Sequence, residues 1–179
     1  MNKKNIVFID GCRTPFLKSG TDYLNLMSYE LGQFAIKGLI QKTGLDPKEV
    51  DQVIMGTVIS NVQTSNVARE AALGAGIPNK AHCQTVTQAC ISANRAICNG
   101  VNEILVGNAE VVIAGGVENT SDTPIGFPKK MRNKLFGAQK LRGLGDTLKF
   151  IFSLRPSDFI PVRPAVAEYM TGRTMGEDC

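Results

Sequence analysis

The sequence has no long apolar run, no Walker-type glycine-rich loop and no Cys-x-x-C pair, and it contains a single histidine, His82. No apolar run approaches the ~20 residues of a membrane-spanning helix, so we predict none. One histidine without closely spaced cysteines argues against a metal site of the zinc type. Without a Walker loop or a face of alternating aromatic and basic residues, we predict neither a phosphate loop nor a nucleic-acid partner.

The N-terminus, MNKKNIVFIDG, also lacks the features of a secretory signal peptide. Two lysines precede an apolar run of only four residues, which stops at Asp10, and no small-residue cleavage site follows. We therefore predict a first β-strand in a cytoplasmic protein. An odd number of cysteines without export indicates free thiols. The five cysteines are Cys12, Cys83, Cys90, Cys98 and Cys179.

What is present suits a globular domain with a full hydrophobic core. The chain has 179 residues, of which 43% are hydrophobic and 20% charged. The net charge of +4 is unevenly spread. Residues 129–155 hold eight Lys or Arg and one acidic residue, which leaves 12 basic and 15 acidic residues elsewhere. The chain therefore carries one basic segment and is not basic throughout.

Strand-like and helix-like segments alternate through the first two thirds of the chain. The predicted strands are 5–10, 52–59, 82–87 and 110–118, and the predicted helices are 29–43, 66–74 and 90–106. This order predicts an α/β fold with a mainly parallel sheet and helices on both faces. After residue 118, turn-rich and proline-rich stretches predict an excursion from the sheet that is part helix and part irregular.

Two helix starts carry capping residues. Ser28 is expected to cap the first helix, which Gly44 ends. Asp46, followed by Pro47 at the first helical position, predicts a second helix start. The apolar residues that share one face of the first helix are Leu31, Phe34, Ala35 and Leu39.

Cys90 lies where the third predicted strand ends and the third predicted helix begins, in TQACISANRAI. Small residues lie in a line along one side of this predicted helix: Ala89, Ala93, Ala96 and Gly100. Small residues let a helix approach other backbones closely, so we expect this helix to be buried on most sides.

A thiol at a helix start can serve as a nucleophile. Unpaired backbone N–H groups and the positive end of the helix dipole favour thiolate, the reactive form. The same N–H groups can stabilise an oxyanion that develops on a substrate carbonyl. The alternative is that Cys90 is a buried structural cysteine. Composition and spacing leave both interpretations open.

QACISANRAI, followed by VVIAGGVENTSDTP, resembles the active-site region of the thiolase family. CRTPF, VIMGTVIS and NVAREAALGAGIP also fit the family, in its order along the chain. The resemblance implies a thiolase-like fold, with residues 1–119 as an incomplete N-terminal half-domain and 120–179 as the start of an inserted loop domain. It also implies that Cys90 is the acyl-accepting nucleophile.

The implied activity is that of an acyltransferase of fatty-acid β-oxidation, an acetyl-CoA C-acyltransferase. It cleaves 3-oxoacyl-CoA with CoA through an acyl-cysteine intermediate. Coenzyme A is a substrate, and the resemblance implies no cofactor. Thiolases are usually homo-oligomers. Met175 aligns with a methionine that lines the acyl pocket of related thiolases, and a core or loop methionine is the alternative.

The basic segment at 129–155 is similar to the inserted segment of thiolases in trifunctional fatty-acid oxidation complexes. That likeness implies contact with a hydratase/dehydrogenase partner subunit or with a membrane surface, whereas a solvated basic face is the alternative. For other residues the alternatives are local. Ser92 and Asn94 either orient substrate or hydrogen-bond within the helix start. Arg13 and Arg69 suggest structural ion pairs, and Glu118 is expected to fix the turn after the last strand.

The family carries its activating histidine in a Gly-His-Pro motif and its acid–base cysteine in a Cys-x-Gly motif. The 179 residues contain no Gly-His-Pro, and their one Cys-x-Gly triplet, Cys98-Asn99-Gly100, lies within the predicted third helix, so we match neither family motif to this chain. We therefore expect an N-terminal fragment of a thiolase, inactive by itself, with an exposed sheet edge. The alternatives are a non-catalytic fragment that binds acyl-CoA or a partner and, more remotely, a related condensing enzyme.

Overall fold

The computed structural model describes residues 5–178, so residues 1–4 and Cys179 lie outside the described part. The chain divides into two compact units. The first unit ends at Asp122 and the second begins at Thr123. The first unit holds the sheet and Cys90, and the second holds the basic segment.

The first unit is built on a three-stranded parallel sheet. Its strands are β1 (Gln52–Gly56), β2 (His82–Val86) and β3 (Val112–Gly116), in the order β2-β1-β3. Gln52 lies opposite His82 on one side and opposite Val112 on the other. All residues of the central strand β1 are buried. The predicted parallel α/β sheet is confirmed.

Helices cover both faces of this sheet, as predicted. On one face, α1 (Ser28–Thr43) and α2 (Val67–Gly74) pack with Val53 and Met55 of β1 into one hydrophobic core. On the other face, α3 (Ser92–Val106) packs on the strands. These two layers of helix place the start of α3 at the carboxyl edge of the sheet.

The helix starts agree with the sequence in one case and differ in the other. Asp46 accepts a hydrogen bond from the N–H of Lys48 at 2.9 Å and caps a 3₁₀ helix at Pro47–Glu49. Ser28, however, is the first residue of α1 and not its cap. The residue before it, Met27, donates its N–H to the Glu30 carboxylate at 2.8 Å. A carboxylate in the first turn thus replaces the expected serine cap.

The predicted first strand, residues 5–10, is wrong. This segment pairs with none of the described strands, and the side chains of Val7, Phe8 and Ile9 are 72%, 79% and 81% exposed. Strand character requires a neighbouring strand for the backbone N–H and C=O groups. The β-branched and aromatic composition predicts an extended backbone, but it does not predict whether a partner strand lies beside it.

The buried face of α1 also differs from the prediction. Leu31 is buried as expected, but the other buried residues are Gly32 and Ile36, and Phe34 is 48% exposed. A Cβ on Gly32 would lie 3.2 Å from the Cβ of Ala71 in α2. The contact between α1 and α2 therefore centres on a glycine, which a search for large apolar residues overlooks.

The expectation that α3 is buried on most sides is wrong for the described structure. Its buried residues, Ser92, Ala96 and Gly100, form one stripe that faces the sheet. Leu105 and Val106 are 50% and 70% exposed. The small residues serve close approach to the strands on one side, and no described element covers the opposite side.

The second unit mixes short helices with irregular chain, as predicted. It contains α4 (Lys129–Ala138), α5 (Leu144–Ser153), a 3₁₀ helix (Pro156–Phe159) and α6 (Met175–Asp178). The ammonium of Lys134 in α4 bonds to the buried Asp158 carboxylate and to the carbonyl of Ser153. These bonds hold α4 against the end of α5. Among residues 5–178, no helix has the length and apolarity needed to cross a membrane.

Candidate functional site

Cys90 is exposed in a turn between β2 and α3, which we call the Cys90 turn (residues 88–92). The helix was predicted to begin at Cys90, but it begins at Ser92. Ala89, next to the cysteine, has φ 46° and is the one non-glycine residue of the described chain with positive φ. Such a backbone is uncommon without a glycine and is held by its surroundings.

The hydroxyl of Ser92 holds this turn together. Its oxygen accepts a hydrogen bond from the N–H of Gln88 at 2.8 Å, and its O–H donates one to the carbonyl of Ala89 at 2.6 Å. We call this pair of bonds the Ser92 clamp. Ser92 is 4% exposed. Of the two roles considered for Ser92, the structure shows the hydrogen bond within the helix start.

Two glycines bring the start of α3 onto the sheet. A Cβ on Gly56, at the end of β1, would lie 2.6 Å from the backbone nitrogen of Ala93. A Cβ on Gly116, at the end of β3, would lie 2.7 Å from the Cβ of Ala93. Real Cβ atoms do not approach this closely, so only glycine fits at either position. Both glycines stand at the ends of strands in the sequence, and this position is the signal that could have predicted the close contact with α3.

The first backbone N–H groups of α3 have no acceptor within the helix. Its first regular helical bond runs from the N–H of Arg95 to the carbonyl of Ile91 at 2.9 Å. The N–H groups of Ala93 and Asn94 come before that bond and have no acceptor within the helix. Cys90 thus lies exposed beside a helix N-terminus, which contradicts the alternative of a buried structural cysteine.

Glu118 and Asn119 follow β3 at the carboxyl edge of the sheet. The Glu118 carboxylate accepts hydrogen bonds from the N–H groups of Val58 at 2.8 Å and Ile59 at 3.1 Å. It therefore fixes the loop after β1, whereas we expected it to fix its own turn. The carboxyl edge of a parallel sheet is the usual place for ligands in open α/β folds.

Asn119 is a residue that the sequence analysis missed. It is 4% exposed, and its Nδ2 donates to the carbonyls of Tyr23, at 2.9 Å, and Leu26. Its Oδ1 accepts from the N–H of Ser121 at 2.9 Å. An asparagine in a turn-rich stretch gives no sign of such long-range bonds. Here it ties the loop before α1 to the chain after β3.

A cleft of about 230 Å³ lies in the first unit beside these residues. Its lining includes Cys12, Tyr23, Glu118 and Asn119, and Cys90 is not part of it. The Cys12 thiol donates to the carbonyl of Ala35 at 2.9 Å. The cleft and the Cys90 turn are therefore separate features of the carboxyl side.

The other thiols have different surroundings. Burial raises the pKa of the Cys83 thiol, against the opposing effects of a hydrogen bond and charge from Arg69. Cys98 is exposed because it lies on the uncovered side of α3. The four cysteines within the described residues are free thiols, as predicted. Cys179 lies outside them.

The two arginines do not form the predicted ion pairs among the described residues. Arg69 donates to the carbonyl of Asn79 at 2.8 Å, and Arg13 stacks on the ring of Phe16 with its guanidinium 4.9 Å from the ring centre. Met175, the proposed pocket residue, is 60% exposed at the start of α6 in the second unit. Within residues 5–178, no group of three or more His, Cys, Asp or Glu side chains is arranged to hold a metal ion.

Comparison with known proteins gives one consistent family. Residues 6–149 match the model of the thiolase N-terminal domain. The mitochondrial trifunctional enzyme subunit beta of Homo sapiens is 48% identical over 98% of this chain and 37% of its own length. A probable 3-ketoacyl-CoA thiolase of Caenorhabditis elegans is 46% identical over 98% of this chain and 39% of its own. The chain thus spans less than two fifths of these relatives.

The structural comparison agrees with the sequence comparison. The acetyl-CoA acetyltransferase of Bacillus anthracis matches with a TM-score of 0.66 and 27% identity, over 89% of this chain and 36% of that one. The parallel sheet with helices on both faces and the matched family model indicate the same fold. The chain belongs to the thiolase family.

Proposed function

We propose that this chain supplies the acyl-accepting cysteine of a thiolase, with Cys90 as the nucleophile. The Cys90 sulfur attacks the 3-oxo carbonyl of a 3-oxoacyl-CoA, and the bond between carbons 2 and 3 breaks. Its electron pair leaves with acetyl-CoA, which takes up a proton. The thiolate of a second CoA then takes the acyl group from Cys90 as a shortened acyl-CoA.

The observation that carries this proposal is the exposure of Cys90 in a clamped turn directly before α3. Helix N-termini favour negative charge, both on an attacking sulfur and on a carbonyl oxygen under attack. The acyl-enzyme and the product are both thioesters, so a sulfur nucleophile keeps the second transfer nearly isoenergetic. The relatives named as thiolase and acetyl-CoA acetyltransferase support the same reaction class.

The proposal includes a limit on the chain as given. Its sequence contains no Gly-His-Pro motif, which carries the activating base in the family. Its one Cys-x-Gly triplet, Cys98-Asn99-Gly100, lies within α3 and is not matched to the second cysteine of the family. A nucleophile without these partners can accept an acyl group slowly but lacks the groups that move protons during turnover. We therefore expect acylation of Cys90 without sustained thiolysis.

Intact-mass spectrometry tests the acylation step. The chain is incubated with acetyl-CoA, and the expected result is a single added acetyl group that maps to Cys90 and is absent from Cys90→Ser. Cys98→Ser is the matched control: Cys98 is exposed on α3, and this variant should keep the label on Cys90. A label that survives Cys90→Ser would overturn the assignment of the nucleophile.

A turnover assay tests the limit. With acetoacetyl-CoA and CoA, the expected release of acetyl-CoA is at most one equivalent per chain. Robust turnover that Cys90→Ser abolishes would show that other groups in the chain replace the missing base and acid.

A second candidate function is a non-catalytic unit that binds acyl-CoA or a partner subunit. The lack of a Gly-His-Pro motif favours it, because the chain then has no activating histidine for proton transfer but still has a surface that can bind. Reversible binding of acyl-CoA by calorimetry, together with no acyl group on Cys90, would favour this function over acyl transfer.

The partners that we propose follow from the named relatives and the basic segment. One relative is named a subunit of a trifunctional enzyme, which suggests a hydratase/dehydrogenase partner for this chain. In the second unit, the apolar side chains of α5 are exposed beside the basic residues, which suits a partner or membrane surface. The exposed residues are Leu144, Leu148, Ile151 and Phe152. Self-association into a homo-oligomer is part of the same proposal.

The cytoplasmic location is not confirmed. The human trifunctional enzyme subunit beta is named mitochondrial. Location therefore stays a prediction for this chain, and the acyl pocket role of Met175 stays a prediction as well.

A further inference from the structure

We propose that Ser92 is a positioning residue for the nucleophile: its hydroxyl holds the left-handed backbone of Ala89 and thereby fixes Cys90 beside the first turn of α3. This inference rests on the proposed function for its catalytic meaning. Whether the Ser92 hydroxyl controls the position of the Cys90 thiol can be tested without acyl transfer.

The geometry of the clamp supports this role. The hydroxyl bonds to backbone groups of two consecutive residues. It accepts from the N–H of Gln88 at 2.8 Å and donates to the carbonyl of Ala89 at 2.6 Å. Both partner groups belong to the Cys90 turn. The turn also has weaker backbone bonds, from Ile91 to Gln88 and from Ser92 to Ala89, each at 3.2 Å. The shorter bonds are those of the side chain.

Burial makes the hydroxyl hard to replace. Ser92 is 4% exposed and its backbone lies directly under Gly56, so the hydroxyl itself is shielded, whereas its partner groups belong to the exposed residues Gln88 and Ala89. Without the hydroxyl, the N–H of Gln88 loses its acceptor, and Ala89 loses a bond that favours φ 46° over ordinary negative φ. A relaxed Ala89 would turn the following residue, Cys90, away from its present position.

Alkylation of the cysteines tests the proposal directly. The full chain is treated with iodoacetamide at one fixed pH, and peptide mass spectrometry follows Cys90 and Cys98 in the same molecules. We expect Ser92→Ala to lower the ratio of the Cys90 rate to the Cys98 rate by about fivefold or more, the size that a lost hydrogen bond supports. Cys98, on the exposed side of α3, serves as the internal control.

A second substitution separates positioning from packing. Glycine adopts positive φ without the Cβ penalty, so Ala89→Gly in the Ser92→Ala background should restore most of the Cys90 rate. An unchanged ratio in a folded Ser92→Ala variant would overturn the proposal. A fall that Ala89→Gly does not recover would overturn it too, because the loss would then come from packing at position 92.

Amide exchange in the unsubstituted chain covers the case in which Ser92→Ala does not fold. The N–H of Gln88 should exchange at least ~10-fold more slowly than an unstructured amide, since it donates to a buried hydroxyl. Exchange at the unstructured rate would overturn the clamp. Acetylation of Cys90 is measured alongside: if acetylation fails in the unsubstituted chain while the alkylation ratio responds to Ser92, the proposed function fails and the positioning role holds.

Discussion

At the scale of single residues, the chain fixes its carboxyl edge with buried polar groups that reach across the fold. Asn119 and Ser92 are both buried and fully engaged with backbone groups. Removing one partner of a buried hydrogen bond costs more than the bond itself contributes, because the other partner stays unsatisfied. These residues should therefore matter more to stability than their size suggests.

Asn119→Ala should destabilise the first unit by about 2–3 kcal/mol, because it leaves the carbonyls of Tyr23 and Leu26 without their donor. Urea denaturation followed by circular dichroism measures this. Asn108→Ala is the matched control, since Asn108 is exposed and bonds to the nearby Glu103. Equal losses in both variants would contradict the role of Asn119.

Asp51 gives a prediction about acid stability. The N–H groups of Glu110 and Val111 bond to the Asp51 carboxylate and hold its pKa below the ordinary value. A depressed pKa stabilises the fold fully above the unfolded value of about 3.9, and this stability is lost as the pH falls through the folded value. Asp51→Asn should flatten the decline in stability below about pH 4, where the carboxylate would protonate.

Urea midpoints between pH 3 and 6 measure this effect. Asp22→Asn, at another exposed aspartate, is the control and should leave the slope unchanged. A slope that Asp51→Asn does not alter would show that other carboxylates govern the acid response.

At the scale of helices and strands, the contact between α3 and the sheet decides where Cys90 lies. Gly56 and Gly116 end their strands where the first turn of α3 arrives, so the helix rests on backbone and not on side chains. Protein interiors have little free volume to absorb an added methyl group at such a contact.

Gly56→Ala should cost at least ~3 kcal/mol or prevent folding, because its methyl group would overlap the backbone of Ser92 and Ala93. Chemical denaturation measures the loss. Gly11→Ala is the control, since a Cβ there meets no atom within 4 Å. A folded Gly56→Ala variant of normal stability would show that α3 can shift away from the sheet at little cost.

The sequence predicted the elements that periodicity and local chemistry govern. The three parallel strands, the helices between them and the Asp46 cap all follow from patterns within a few residues. It did not predict contacts that depend on partners far along the chain. Three findings are of this second kind: residues 5–10 pair with none of the described strands, α1 contacts α2 at Gly32, and Asn119 bonds across the fold.

The candidate site divides in the same way. CISANRA between a strand and a helix is a local signal, and it placed Cys90 at the helix start to within two residues. The left-handed Ala89 is not a local preference of alanine, so no pattern predicts it. It follows from the Ser92 hydroxyl and from the close packing of α3 on two glycines.

At the scale of the whole chain, apolar surface stays open in the first unit. Val7, Phe8 and Ile9 are largely exposed, and so are Leu105 and Val106 at the end of α3. Exposed patches of this kind mark surfaces that bind other protein or self-associate. The open surface is consistent with a chain that spans less than two fifths of its relatives.

We expect the isolated chain to self-associate at micromolar concentration through its exposed apolar side chains. The double substitution Phe8→Ser with Ile9→Ser should reduce this association, because these side chains are 79% and 81% exposed. Light scattering after size exclusion measures the mass. Lys18→Ser, at an exposed polar position near the same segment, is the control. A monomer in all three chains would show that these side chains do not drive association.

The glycine contacts under α3 also limit how far the Cys90 sulfur can move. Loops usually fluctuate more than the strands they follow, but this one ends against two strand termini with no flexible side chain between. Thermal motion at Cys90 should therefore follow the stiffness of the sheet, so that the sulfur keeps one orientation relative to the strand ends.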